Sequence, residues 1–245
     1  MRAFARALLG LALSAALAAP ALAQRMRDFT TPQPMPPGSC LVVGILGGIN
    51  RWNDDHRPVR RTALELRREF PHIYVETVEN RHRKVALKLV RRALDTDRNG
   101  KLDSAERASA CVILYGQSWG GMAMLRLARD LQKQGVPVRL AIEIDSVGTG
   151  NRTVPANVAR VANFYQRSGP LLRGHGNLPL ENPRATEVLV NEEIDYSERN
   201  VDLSSVNPVE RAAGGTHIKM EFDPEIWRRV EQLVRDELRR SHAGN

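Results

Sequence analysis

The chain has 245 residues, a formal net charge of +8, 5% aromatic residues and two cysteines. Its positive charge comes mostly from arginines spread beside Glu and Asp along helical patterns. No basic block is interleaved with aromatics, which argues against nucleic-acid binding. Beyond the N-terminus no stretch approaches a membrane span in length, which argues against stable membrane insertion.

Residues 1–23 read as a secretory signal peptide. Arg2 and Arg6 precede the apolar run from Ala7 to Ala19, and Ala21-Leu22-Ala23 offers small residues before Gln24. Cleavage there leaves 222 residues with a net charge of +6, enough for one domain with a full core, in the periplasm or outside the cell. Residues 24–39 carry Pro32, Pro34, Pro36 and Pro37 and read as an extended arm, so the domain is expected over 40–245.

From there short apolar strands alternate with amphipathic helices. The strand Leu41 to Leu46 runs into Gly47-Gly48, and a helix follows with Val59, Ala63, Leu66 and Phe70 at helical spacing. His72 to Val78 reads as a strand, and Arg83 to Leu94 as a helix with Val85, Leu89, Val90 and Leu94 on one face. After an acidic segment come the strand Val112 to Tyr115, a helix from Trp119 to Gln134 and the strand Val138 to Ile144. A helix is expected over Pro155 to Gln166, then a Gly- and Pro-rich stretch to Pro183 and a strand from Thr186 to Ile194. Asp223 and Pro224 open the last helix, whose stripe is Ile226, Trp227, Val230, Leu233, Val234 and Leu238.

This alternation predicts a compact α/β fold, a mostly parallel sheet of about five strands with helices on both faces. Cys40 and Cys111 each precede an apolar strand, so adjacent strands in register would bring the sulfurs together. Either a disulfide or two buried thiols fits that placement.

Two motifs carry chemistry. Residues 95–106, DTDRNGKLDSAE, match the EF-hand calcium loop. Asp95, Asp97, Asn99, Asp103 and Glu106 fall on the side-chain ligand positions, Lys101 on the carbonyl position and Gly100 on the turn. Arg107 follows directly and few residues remain before Val112, so a full exiting helix and sensor behaviour are not expected. Calcium is expected as a structural brace for the crossover into the next strand.

Gly116-Gln117-Ser118-Trp119-Gly120 lies between an apolar strand and a helix start, the setting of a strained turn that exposes a nucleophilic serine. The Trp119 N–H points where an oxyanion would form, and Gly48 or Ile49, after the first strand, can supply a second donor. A serine needs a base and an orienting acid. His217, just before the last helix, is the first candidate base and His175 the reserve. Asp145, at the end of a strand, is the favoured acid, with Asp195 the competitor.

These residues resemble the α/β-hydrolase superfamily, in particular a group of exported bacterial α/β hydrolases. The likeness runs from Cys40 to Val234 and is carried by Leu-Gly-Gly-Ile-Asn (46–50), Tyr-Gly-Gln-Ser-Trp-Gly-Gly (115–121) and Asp-Ser-Val-Gly (145–148). Pro-Ala-Asn-Val (155–158), Asn-Phe-Tyr-Gln (163–166) and Thr-His-Ile-Lys-Met-Glu (216–221) complete it. The resemblance implies Ser118 as nucleophile, His217 as base and Asp145 as acid. With no long cap insertion, the site is expected to be open. The expected function is an exported serine hydrolase, esterase- or lipase-like, acting on a small-molecule or lipid ester. The alternative is a non-catalytic calcium-binding or interaction module on the same scaffold.

Overall fold

The computed structural model describes residues 23–169 and 172–243. The expected signal peptide thus falls outside the described residues except for Ala23. Six strands form one sheet: β1 (Leu41–Leu46), β2 (Tyr74–Glu79), β3 (Val112–Gln117), β4 (Val138–Ile144), β5 (Val158–Tyr165) and β6 (Glu187–Glu193). The order across the sheet is β2-β1-β3-β4-β5-β6, and every neighbouring pair is parallel.

The helices are α1 (Pro58–Glu69), α2 (Arg83–Leu94), α3 (Ser104–Ala108), α4 (Trp119–Gln132), α5 (Pro208–Gly214), α6 (Thr216–Phe222) and α7 (Pro224–Ala243). Helices α2 and α4 bury Leu89, Val90, Leu125 and Leu127 against one face of the sheet. Helices α1 and α7 bury Ala63, Leu66, Val230 and Val234 against the other. Buried on both faces, the central strands β1 and β3 are almost continuously apolar, as parallel sheets favour, while β4 is interrupted by Arg139 and Glu143. Among the described residues no helix is long and apolar enough to cross a membrane.

One element differs in kind from the sequence expectation. Residues 158–165 form strand β5, not part of a helix, and the sheet has six strands where about five were expected. Val158, Val161, Ala162 and Phe164 are all buried, with Val158 and Val161 facing one core and Ala162 and Phe164 the other. Two covered faces erase the period-two alternation and leave apolar spacings that mimic a helical stripe. Pairing with β4 and β6 on both sides settles the segment as a strand.

The sheet's edges are closed differently. Along β2 the N-terminal arm donates to the strand: Gln24 Nε2 bonds the Thr77 carbonyl at 2.8 Å. Thr30 and Thr31 direct both backbone N–H groups and both hydroxyls at Glu76 Oε1, over 2.7–2.9 Å. Phe29 and Met35 join the core, so the proline-rich arm is a packed cover. At the other edge β6 carries Glu187, Glu192 and Glu193, charges that discourage a further strand from pairing.

Cys40 and Cys111 are joined in a disulfide, with Cα atoms 4.6 Å apart, at the starts of adjacent strands β1 and β3. The bridge spans 71 residues of sequence, a loop that stabilises by about 4 kcal/mol in the chain-entropy account. The double variant Cys40→Ala/Cys111→Ala is therefore expected to lose about that much in urea unfolding. A loss under about 1 kcal/mol would show that the bridge adds little.

Candidate active site

The sheet order reverses between β1 and β3, and the crevice at such a switch opens beyond the strands' carboxyl ends. The loops leaving β1 and β3 both turn into it. Ser118 is the one residue between β3 and α4, at φ 57° and ψ −127°, a left-handed region that non-glycine residues avoid. The turn survives because its neighbours are small. A Cβ on Gly120 would run into the backbone carbonyl of Ile45, and one on Gly116 would lie 2.5 Å from the Gly120 carbonyl oxygen.

The turn places Ser118, 7% exposed, with Oγ 2.9 Å from His217 Nε2. His217 Nδ1 lies 2.6 Å from Asp145 Oδ2. Asp145 has no solvent exposure and His217 only 4%. With the carboxylate opposite Nδ1, that nitrogen carries the proton and donates it, leaving Nε2 to accept the Ser118 hydroxyl proton. The three side chains thus form one hydrogen-bonded line.

Asp145 sits just past β4 at φ 44°, held by its N–H on the Phe164 carbonyl at 2.7 Å. Gln166, just past β5, donates its backbone N–H to Oδ1 at 3.2 Å and its side-chain Nε2 to Oδ2 at 3.0 Å. The same amide group bonds the Leu172 carbonyl and accepts from Gly169 N–H.

His217 lies on α6, two residues beyond Gly215, whose φ of 51° joins α5 to α6. Arg57, before α1, clamps both helices. Its Nη1 and Nη2 donate to Glu210 of α5 at 2.6 and 3.1 Å, and Nη1 also reaches Glu221 of α6 at 3.2 Å. Burial raises the Glu221 carboxyl above its ordinary range, against the pull of Arg57 and His217. The other sequence candidates stand outside this line. His175 Nε2 meets the Gly148 carbonyl at 3.0 Å, and burial lowers its pKa. Asp195 is exposed and accepts from Ser197 N–H and Oγ–H.

The β1 loop packs directly on Ser118, since a Cβ on Gly47 would come within 2.8 Å of Ser118 Cβ. Asn80, just past β2, pins this loop by donating Nδ2 to the Leu46 carbonyl at 3.1 Å and the Gly48 carbonyl at 2.6 Å. In a trans peptide N–H and C=O point opposite ways, so the bond to Gly48 O turns the Ile49 N–H away from Asn80. Ile49 and Trp119 are 81% and 50% exposed. As the first residue of α4, Trp119 has an N–H with no intrahelical acceptor.

No role was assigned from sequence to Gln166, Arg57 or Asn80. Each acts across a long sequence separation, and no spacing rule marks such contacts. Helices α5 and α6 were missed as well, although Asn207-Pro208 is a start signal: Asn207 Oδ1 accepts the Val209 N–H at 2.9 Å, with proline at the first turn.

The acidic segment lies at the other end of β3 from Ser118. Asp95, Asp97 and Glu106 offer oxygens within 4.8 Å of one another, and Gly100 takes φ 81° in the turn. Asp95 Oδ1 is buried with no hydrogen-bond partner, an acceptor position a cation would satisfy. Asn99 accepts the Lys101 N–H, and Asp103 caps α3 through the Glu106 N–H at 2.8 Å. Helix α3 has only five residues, a truncated exit.

No family model matches the chain, and no curated protein matches it by sequence. Among solved structures it is similar to the RedJ thioesterase of the prodiginine biosynthetic pathway in Streptomyces coelicolor. That pair shares 10% identity over 90% of this chain and 96% of the other, with a TM-score of 0.43. It is also similar to XC6422 from Xanthomonas campestris, an a/b serine hydrolase without lid, at 16% identity over 64% of this chain and 74% of that one, with a TM-score of 0.33.

Two residues before Asp145, the buried Glu143 has its carboxyl pushed up to about 7 by loss of solvent, despite the pull of Arg152 and Arg129. The folded protein then holds a proton that the unfolded chain releases near pH 4.5, so stability falls as pH rises from about 4.5 to about 7. Glu143→Gln, which needs no proton, is expected to raise the melting temperature at about pH 8 and to change it little at about pH 5. Equal shifts at both values would mean the carboxyl is not held neutral.

Proposed function

We propose that the protein is a serine hydrolase of the α/β-hydrolase type that cleaves an ester or related acyl bond. The observation that carries this reading is the buried line Ser118 Oγ, His217 and Asp145, with contacts of 2.9 and 2.6 Å, at the crevice where the sheet order reverses.

In the reaction Ser118 Oγ attacks the substrate carbonyl carbon while His217 Nε2 takes its proton. The oxygen that becomes negative is held by the Trp119 N–H and an N–H of the Gly48–Ile49 turn. The tetrahedral centre collapses, the bond to the leaving group breaks and His217 returns its proton to that group. Water then repeats the sequence on the acyl-serine, again with His217 as base, and releases the acid. Asp145 keeps the imidazole in the required tautomer and stabilises its positive form. The strained Ser118 turn and the Gln166 and Arg57 contacts hold these groups before substrate arrives, which lowers the cost of reaching the transition state.

Hydrolysis of p-nitrophenyl esters by the purified protein tests the reading. Ser118→Ala and His217→Ala are expected to lose on the order of a millionfold in kcat, and Asp145→Asn about ten-thousandfold. Esterase activity that survives Ser118→Ala on folded protein would contradict it.

Export belongs to the same proposal: the N-terminal charge and apolar pattern, with a disulfide between both cysteines, suits an oxidising compartment. So does a structural calcium ion held by the 95–106 loop, with Asp95, Asp97 and Glu106 as first ligands. Bound there, calcium would neutralise crowded carboxylates and tie α2 to the segment entering β3. At a calcium concentration of about 100 times Kd, the chelator-treated protein is expected to gain about 2.7 kcal/mol of stability. Glu106→Gln is expected to abolish most of that gain. A melting temperature indifferent to calcium would remove the ion from the account.

A further inference from the structure

Helix α4 carries a second feature beside Ser118. Trp119, Met122 and Arg126 stand at i, i+3 and i+7, so one face of the helix runs from the residue after Ser118 to a guanidinium. That face forms one wall of an open groove of about 410 Å³, and Asn80, Val147 and Thr149 contribute to the others. The groove starts at Trp119, the residue after Ser118. Val147 N–H bonds the Ser118 carbonyl at 3.3 Å, and Asn80 is the residue that pins the β1 loop.

The half-exposed Trp119 stands at the end nearer Ser118, while Met122 and Val147 are almost fully buried, so the groove's surface is mostly polar. About 10 Å further along the helix axis stands Arg126, its Nη2 donating to the Thr149 carbonyl at 2.9 Å. Among the described residues no carboxylate lies within ion-pair reach of Arg126. The nearby cation Arg83 is itself paired with Asp130. An exposed arginine is ordinarily just a solvated charge. This one ends a groove that begins at the residue after the reactive serine, and no carboxylate neutralises it.

We propose that this groove receives one arm of the substrate and that Arg126 selects arms ending in a carboxylate. This rests on the serine-hydrolase reading and deepens it by naming a substrate class: esters with a short chain and a single terminal negative charge. A guanidinium with one edge tied to Thr149 matches one negative charge better than two. Helical side chains lean toward the N-terminus, so the Arg126 charge lies nearer Ser118 than its Cα does. An arm on the order of five or six bonds spans the remaining distance.

Two phosphonylating probes test this without presuming which arm is the acyl one: hexyl fluorophosphonate and its analogue with a terminal carboxylate. With either, the Ser118 Oγ–P bond forms, the P–F bond breaks, fluoride leaves and the serine proton passes to His217. The carboxylate probe is expected to label Ser118 about tenfold faster at low salt, and the advantage should shrink as salt rises. Arg126→Gln is expected to bring the ratio of the two rates to about one, and Arg126→Glu to invert it. Arg126→Lys, which keeps the charge, should retain part of the preference and so separates charge from any disturbance of the Thr149 contact. Equal rates in the unaltered protein, or a ratio unmoved by Arg126→Gln, would overturn the inference and leave the hydrolase reading standing. Failure of both probes to label folded protein would overturn the hydrolase reading, and this inference with it.

Discussion

The site depends on a carboxylate that has no access to water. Asp145 at 0% exposure must have its charge met by protein donors, because an unpaired buried charge is too costly to keep. Three donors reach it: Gln166 N–H, Gln166 Nε2 and His217 Nδ1. Two of them come from the end of the neighbouring strand, so the parallel pairing of β4 with β5, Ile144 opposite Phe164, places the donors as well as the acceptor. The third fixes the imidazole, and the imidazole reaches Ser118. What orders the carboxylate therefore orders the whole line.

The serine is set by a different constraint, steric where the first is electrostatic. A chain that turns from strand to helix in one residue must bring backbone against backbone, and Gly120 against the Ile45 carbonyl is where it does so. This contact joins the turn after β3 to strand β1. Asn80 then ties the loop after β1 to the end of β2. Strands β2, β1, β3, β4 and β5 thus each deliver one loop to the same crevice. The disulfide lies at the opposite ends of β1 and β3, and the acidic loop precedes β3, so neither touches the crevice.

How much of this was legible follows from the range of each interaction. The strand Leu41–Leu46 and the helix Arg83–Leu94 were read at their observed bounds because their patterns are local. Ser118 was legible for the same reason, since the glycines its turn requires stand within two residues of it. Asp145 and His217 were reachable through strand-end position and chain order, and the structure brings both to Ser118. Gln166, Arg57 and Asn80 were not, because their partners stand far away in sequence and the residue types are ordinary. Strand β5 was misread because covering both faces removes the alternation that marks a strand. The EF-hand pattern identified possible ligands but said nothing of distance, and they stand at the far end of β3 from the serine.

The proposed mechanism requires a covalent acyl group on one named oxygen during turnover. Mixing the protein with p-nitrophenyl acetate, quenching in acid within the first turnovers and measuring the intact and peptide masses tests that requirement directly. The account predicts one acetyl group per chain, on the peptide containing Ser118, and none when His217 is replaced by alanine. Sustained ester hydrolysis with no acetylated serine, or with the acetyl group on another residue, would contradict it.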